Sequence, residues 1–397
     1  MRYILGIDIG TTAIKGAVIG EDGKIYGTKT SEYPLTTLPT GEVEADLQLY
    51  INAFTQSIKG AVEDAKVDVA DIKCVGFSST AETCVFLDKY NEPLCKVIAW
   101  MDTRATKEAE YLTAHFDKKD IINKVGFDGI YAIHPVSKIL AVKNKTPEIF
   151  EKTRMFAQIK DYFIYRLTGE YYTDHSTASD HGFFDITNRC YWNEMLEFAG
   201  IKEEYLPKLV EPGTELGTIS REAALEFGLD PETKINVGAF DQGCGAIGAG
   251  NTKPGIASES TGSALVTVAT IDALNPDSQG DVPTLCSGIP GKYMYQPYCT
   301  GSIIMKWYRD IFCEAEKMVE EQTGLNAYTQ MDEMVKATPA GADGLIMLPY
   351  FQGSGIPELN EKAEGVYYGI NAGHTRGHFI RAIMEGLAIA LKTYAGM

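Results

Sequence analysis

The chain has few of several residue types. Its 397 residues include three tryptophans and six histidines. No apolar run approaches the ~20 residues of a membrane-spanning helix, so a membrane partner is not expected. Basic side chains are scarce: 36 Lys and Arg against 54 Asp and Glu leave a formal charge of -18. Such a surface repels polyanions, which excludes nucleic acid and anionic membranes as general partners. An anionic ligand then needs a local site of backbone amides and a few cations. The 8 cysteines form no C-x-x-C pair, which argues against a zinc site and a redox dithiol. They read as buried thiols of a reducing compartment. Met1-Arg2 leads straight into a strand pattern without a signal-peptide region, so a cytoplasmic location is expected.

What is present begins with YILGIDIGTTAIKGAVIGEDGKIYG. Apolar runs at Ile4–Ile9, Ala13–Ile19 and Lys24–Ser31 alternate with turn signals, Asp22-Gly23 being a hairpin turn, and predict a strand meander. Leu47, Ile51, Phe54, Ile58 and Val62 recur at helical spacing, so Glu42–Val62 is expected to pack a helix on that sheet. Lys73–Phe77, Thr83–Leu87 and Val97–Trp100 read as extended, and helical patterns run from Thr106 to about Arg166. The stretch from Leu167 to Trp192, rich in Gly, Thr, Ser and Asp, reads as an irregular excursion, a lid or a connector. Ile235–Ala239 is a further strand, breaking at Asp241 into a glycine-rich helix. A strand-turn-strand with Gly262-Ser263 in its turn repeats the N-terminal device, which suggests two related halves. The chain divides into 1–250 and 255–397, with a break near Asn251-Thr252-Lys253-Pro254.

An aspartate inside an apolar strand needs a partner, because an unpaired buried carboxylate is costly. Asp8 is followed at once by Gly10-Thr11-Thr12, a turn whose amides and hydroxyls can converge on phosphate oxygens, with Lys15 close enough to add charge. The spacing is neither a dinucleotide fingerprint nor a Walker A loop, and an ordinary hairpin would use the same residues. A carboxylate beside a phosphate turn suits a hydrated Mg²⁺. Asp241 has two readings, a helix N-cap or a general base taking a proton from an attacking hydroxyl.

The stretches GIDIGTTAIKG, VIAWMDTRA, DYFIYRLTGEYYTDHSTAS, VGAFDQGCGAIGAG, STGS and RAIMEGLAIAL occur in the order seen in the FGGY family of carbohydrate and polyol kinases, which the whole chain resembles. The resemblance implies an α/β, actin-like (ribonuclease H-like) ATPase fold of two domains with an interdomain cleft. It implies phosphoryl transfer from ATP to a sugar or polyol hydroxyl, and leaves room for a homodimer. Gly10, Thr11, Thr12 and Lys15 match the first phosphate motif, Gly262 and Ser263 the second, and Asp8 the magnesium-associated acid. Asp241 matches the catalytic base and Gln242 its substrate-touching neighbour, while Trp100, Asp102 and Arg104 match a segment lining the sugar pocket.

Some positions depart from the family pattern. Thr80-Ala81-Glu82-Thr83 stands where glycerol kinases show Gln-Arg-Glu-Thr and xylulokinases Gln-Met-His-Gly, so Glu82 fits a polyol reader without its arginine. Ala141 stands where many relatives carry tryptophan, and Gly353-Ser354-Gly355-Ile356-Pro357 lacks the usual Glu-Arg. The chain ends after RAIMEGLAIAL, before the family's adenosine-binding segment, so the second domain is expected to be incomplete and truncated. A xylulokinase-like pentulose kinase is the favoured expectation. A glycerol or other polyol kinase, or an actin-like nucleotide-dependent interaction protein without kinase activity, is the alternative.

Overall fold

The computed structural model describes residues 1–262, 264–275, 282–351, 353–354, 360 and 362–396, with 299 and 395 described for the backbone alone. The chain forms two compact units. The first takes Met1–Gly248 with segments beginning at Ile271 and Thr284; the second takes Ala249–Thr270 and the chain from Tyr295 onward.

The first unit is built on a six-stranded sheet ordered Glu215–Thr218, Lys234–Phe240, Ile72–Ser79, Tyr3–Ile9, Ala13–Gly20, Ile25–Glu32. The three N-terminal strands form an antiparallel meander, and Tyr3–Ile9, Ile72–Ser79 and Lys234–Phe240 run parallel. Alternation along Tyr3–Ile9 buries Leu5, Ile7 and Ile9 and turns Asp8 to the opposite face, so the aspartate never enters the core.

The helix Leu47–Ala65 covers the buried face. Its approach depends on two glycines. A Cβ at Gly16 would lie 2.5 Å from the Ser57 carbonyl oxygen, and one at Gly27 would lie 2.2 Å from the Ala65 nitrogen. The helix starts later than its apolar spacing predicts, because Val43–Ala45 is a strand paired with Thr36–Thr37 and Val97–Ile98.

Two further expectations are corrected. The helical region contains a strand, Met155–Gln158, held by antiparallel pairing with Cys84–Leu87. The stretch 167–192 is neither lid nor surface connector: Thr173, Asp174, Ser176, Thr177, Ser179, Asp180 and His181 are all buried. Many of these polar groups satisfy one another, which a composition-based reading cannot detect. The cysteine reading also changes in part, since Cys190 is exposed although Cys84, Cys286 and Cys313 are buried free thiols.

In the second unit Ala257–Thr261 and Ala264–Ile271 pair antiparallel, and Tyr298–Thr300 adds to the latter. Helices Ile303–Phe312, Ala327–Lys336 and Arg376–Ala395 enclose a core containing Ile304, Tyr308, Met331, Met347, Ile380 and Ile383. Among the described residues no helix is long and apolar enough to cross a membrane.

Phe54 is the aromatic hub of the first unit. It is fully buried, stacks on Phe163 at a centroid distance of 3.9 Å and meets Phe227 edge-on at 5.4 Å. Phe54→Ala should destabilise the protein by about 3–5 kcal/mol. Denaturant unfolding of the first unit would measure this, and a cost below about 1 kcal/mol would show that the hub is not a packing centre.

Candidate active site

Parallel pairing brings the ends of three strands level: Asp8 pairs with Ser78, and Ala239 and Phe240 pair with Ser78 and Ser79. Ser78 Oγ donates to Asp8 Oδ1 at 2.9 Å, and Lys15 Nζ lies 3.6 Å from Asp8 Oδ2. These are the partners that a charged residue in this strand requires, and they leave Asp8 partly open to solvent.

The turn after Asp8 is closed by the Gly10 amide donating to the Ala13 carbonyl at 3.0 Å, and the Tyr33 hydroxyl donates to the Gly10 carbonyl. Trp100 Nε1 donates to Thr11 Oγ1 at 2.9 Å, tying the indole to the turn while leaving the threonine hydrogen free to donate elsewhere. The second unit repeats the device: the Gly262 amide donates to the Ala264 carbonyl at 3.0 Å. Ser263 lies outside the described residues, as do Gly355, Ile356 and Pro357 of the later motif.

Asp241 is the first residue of the helix Asp241–Gly248. The strand before it carries a bulge at Gly238, where φ is +68° and a Cβ would fall 1.7 Å from the Phe77 carbonyl oxygen, so only glycine fits. The Phe240 amide donates to Ser176 Oγ at 3.0 Å, and Ser176 in turn bonds Asp174, whose carboxylate is paired with Lys160. Both members of that pair are fully buried. Burial alone would raise Asp174, but the Lys160 ammonium and the hydroxyls of Ser176 and Thr177 outweigh it and hold it below its ordinary value. The strand end that aims Asp241 is thus fixed from behind by a satisfied ion pair.

Asp241 itself is not satisfied. Its Oδ1 is shielded from solvent and bonded to no protein group. Burial, and then the charge of Asp8, push its pKa up to about 7, with hydrogen bonding from Gln242 offsetting part of the rise. A cap alone would not explain a shielded oxygen without a donor.

Glu82 follows on the bend after Ile72–Ser79. It is buried, with φ at +58°, a conformation that costs a non-glycine residue free energy. Burial pushes its pKa up to about 8; Lys138 opposes the rise and Asp241 adds to it. Lys138 holds the bend in place. It is fully buried and its Nζ donates to the carbonyls of Glu82, Ala99 and Trp100 at 2.7, 2.9 and 3.0 Å. Burial draws its pKa down, yet three carbonyl acceptors need three hydrogens, which only the ammonium supplies.

Asp102 and Arg104 are placed differently. Asp102 is fully buried and accepts from the Val43 amide at 2.6 Å and from Arg104 Nη2 at 2.8 Å, while Arg104 also reaches Glu44 at 3.0 Å. Their polar groups hold the chain next to Trp100 rather than pointing at an open space. Two neighbours of the site lay outside the sequence reading: Lys138, hidden in an apolar helix pattern, and Asp180, in the stretch read as irregular.

The residues combine a tight Gly-Thr-Thr turn, an adjacent acid and a carboxylate whose pKa is near neutrality, on a sheet of ribonuclease H-like order. This is the equipment of a phosphotransferase. The description "FGGY family of carbohydrate kinases, N-terminal domain" matches residues 3–248, and the C-terminal domain of the same family matches residues 276–395. The chain is 29% identical to a xylulose kinase of Bacillus subtilis over 98% of its length and 76% of the relative's. It is 30% identical to a gluconokinase of the same organism, over 98% and 76%. A solved xylulose kinase from Lactobacillus acidophilus matches with a TM-score of 0.90 at 27% identity, covering 100% of this chain and 78% of that one. The chain belongs to the FGGY family of carbohydrate kinases. It has the family's actin-like two-domain α/β fold and is an enzyme that phosphorylates a sugar or polyol hydroxyl at the expense of ATP.

Replacing Lys138 tests the brace. In Lys138→Met three buried carbonyls lose their donor, each at about 1–3 kcal/mol, so stability should fall by about 3 kcal/mol or more. A thermal melt should drop by roughly 6–12 °C for a unit of this size. A melt within about 2 °C of the parent would mean that the Glu82 bend stands without it.

Proposed function

We propose that this kinase transfers the γ-phosphoryl group of ATP to a hydroxyl of a ketopentose such as xylulose, with Asp241 as general base. The observation that carries this reading is the Asp241 carboxylate: one oxygen is shielded and without a donor, and the pKa is near 7. That value suits a base working at neutral pH.

In the proposed step the acceptor hydroxyl donates its hydrogen to Asp241 as its oxygen attacks the γ-phosphorus. The new O–P bond forms, the bridging P–O bond breaks, and ADP leaves with the electron pair. The Gly10 to Thr12 turn holds phosphate oxygens through amides and hydroxyls, with Lys15 adding charge. Gly262 and Ser263 are assigned the second phosphate motif. Trp100 forms an apolar wall of the sugar site, braced by Asp102 and Arg104, and Gln242 with Glu82 bonds sugar hydroxyls. Positioning and electrostatics supply most of the acceleration in such a transfer, and the base adds about 10²–10⁴-fold.

Magnesium fits this site only as a phosphate-bound ion. Asp8 offers one partly exposed carboxylate shared with Ser78 and Lys15, and among the described residues no three His, Cys, Asp or Glu side chains stand close enough to hold a metal. One carboxylate with phosphate oxygens and water is a usual magnesium environment, so Asp8 is the residue that would hold it, and the ion would neutralise phosphate charge. The resemblance of both a xylulose kinase and a gluconokinase leaves the acceptor to be decided by the pocket.

Asp241→Asn should lower kcat by about 10²–10⁴-fold while leaving the fold intact. For the parent, kcat/KM should rise with pH through about 7, because the base must be ionised to accept a proton. Stability should follow the opposite sense. The folded pKa lies above the unfolded value of about 3.9, so the contribution of this group is complete below about pH 4 and is lost as pH rises through about 7. Asp241→Asn should therefore melt higher than the parent at pH 8 and not at pH 4. Full activity in the variant would remove Asp241 from the role.

A further inference from the structure

The strand Lys234–Phe240 passes into the helix Asp241–Gly248 with no loop residue between them, so the backbone of Phe240 sets where Asp241 starts. Sheet pairing grips that strand end from one side. The bulge at Gly238 interrupts the register with Ile72–Ser79, and beyond it only Ala239 and Phe240 pair, with Ser78 and Ser79. On the other side the strand Glu215–Thr218 pairs as far as Asn236, with bonds from Thr214 and Gly213 continuing to Val237 and Gly238. The Phe240 amide donates instead to a side chain, Ser176 Oγ, at 3.0 Å. Ser176 is fully buried and lies 64 residues earlier in the chain.

The direction of the Ser176 hydroxyl is fixed by its partners. An amide only donates, so Ser176 Oγ accepts from Phe240 and places its own hydrogen on Asp174 Oδ1. The other groups on that carboxylate are donors too: the amides of Ser176 and Thr177 at 2.9 and 3.3 Å, the Thr177 hydroxyl at 2.6 Å, and the Lys160 ammonium. Ringed by amides and an ammonium, Asp174 is held as an acceptor. Lys160 also donates to Thr177 Oγ1 at 2.6 Å, which turns the Thr177 hydrogen toward Asp174. Lys160, Asp174, Ser176 and Thr177 are all fully buried. A buried ion pair is often no more stabilising than apolar side chains of the same volume, so the fixed hydroxyl direction is the more telling consequence of this one.

Resting on the reading of Asp241 as the base, we propose that Ser176 is a positioning residue for phosphoryl transfer. Its hydroxyl, aimed by the Asp174 carboxylate and through it by Lys160, holds the Phe240 amide and so directs the Asp241 carboxylate to the attacking hydroxyl. Ser176 acts through Asp241, not on ATP or the sugar.

The test is steady-state kinetics with ATP and whichever of D-xylulose, D-ribulose, xylitol and D-gluconate gives the highest rate, on the parent, Ser176→Ala, Asp241→Asn and the double variant. Thermal melts set an assay temperature at which each is fully folded. Ser176→Ala should lower kcat about 10–100-fold, the scale of a small displacement of a reacting group, with the KM for ATP within about 2-fold of the parent. In the Asp241→Asn background the same substitution should change kcat by less than about 2-fold, since a residue acting through the base loses its effect with the base. A merely structural serine would cost the same factor in both backgrounds. Should Ser176→Ala fail to fold, Ser176→Cys, close in size and a poor acceptor, carries the same test; failure of both to fold makes Ser176 a structural residue and overturns the inference. An unchanged kcat in Ser176→Ala, a raised ATP KM in place of a kcat loss, or an equal loss in both backgrounds also overturns it, and the base reading then stands on the loss seen in Asp241→Asn. Full activity in Asp241→Asn, or a parent whose ADP release none of the four acceptors stimulates, overturns both.

Discussion

Parallel pairing of three strands is the constraint on which the rest depends. Once Tyr3–Ile9, Ile72–Ser79 and Lys234–Phe240 run side by side in the same direction, whatever follows their ends is delivered to one edge of the sheet. Asp8, the Glu82 bend and Asp241 are near one another for that reason and not because they attract. Their burial, and after it the repulsion between neighbouring acids, is a cost, visible in the raised values of Glu82 and Asp241. The compensating stability comes from elsewhere, in the Phe54 hub and the helix seated on Gly16 and Gly27. Separation of the stabilising core from the strained edge is what lets the edge hold groups in states that folding alone would not choose.

Buried charge in this unit divides into two kinds by how it is satisfied. Lys160 with Asp174, and Lys138 with its three carbonyls, have their hydrogen-bonding capacity used by the protein. They act as braces, fixing the strand before Asp241 and the bend that carries Glu82. Asp180 and Asp241 instead keep an oxygen that nothing in the protein meets. A brace loses value when a ligand competes for it, whereas an unmet oxygen gains value when a ligand arrives. The distinction is drawn from hydrogen bonds rather than from burial, since all five side chains are largely or fully buried.

Much of this was legible in the sequence. The strand meander, the turn at Gly10 to Thr12 and the position of Asp241 at a strand-to-helix break follow from local patterns that tertiary contacts do not override. The misreadings share one cause, the use of local pattern where a distant partner decides. Val43–Ala45 is extended because Asp102, far along the chain, takes the Val43 amide at 2.6 Å. Met155–Gln158 is a strand because Cys84–Leu87 lies beside it. The polar run from Thr173 to His181 looks like surface and is interior, since burial of a polar segment depends on partners that no local window contains. Asp180 was invisible for the same reason. Its carboxyl is raised first by burial and then by Glu82 and Asp241, each remote in sequence.

The two classes of residue also differ in what holds them. Asp8 and Asp241 lie on or directly after central strands, where a shift of either would disturb sheet pairing as a whole. Glu82 and Asp180 sit on a bend and a short turn, held by side-chain braces that can be altered without touching the sheet. Phosphoryl transfer needs fixed in-line geometry, so its groups belong on the rigid elements. Acceptor choice needs only a different set of partners around the same attacking hydroxyl, and a bend or a turn can supply it. One sheet can therefore support kinases for different acceptors, because side chains on bends and turns can change while the strands that carry the transfer geometry stay as they are.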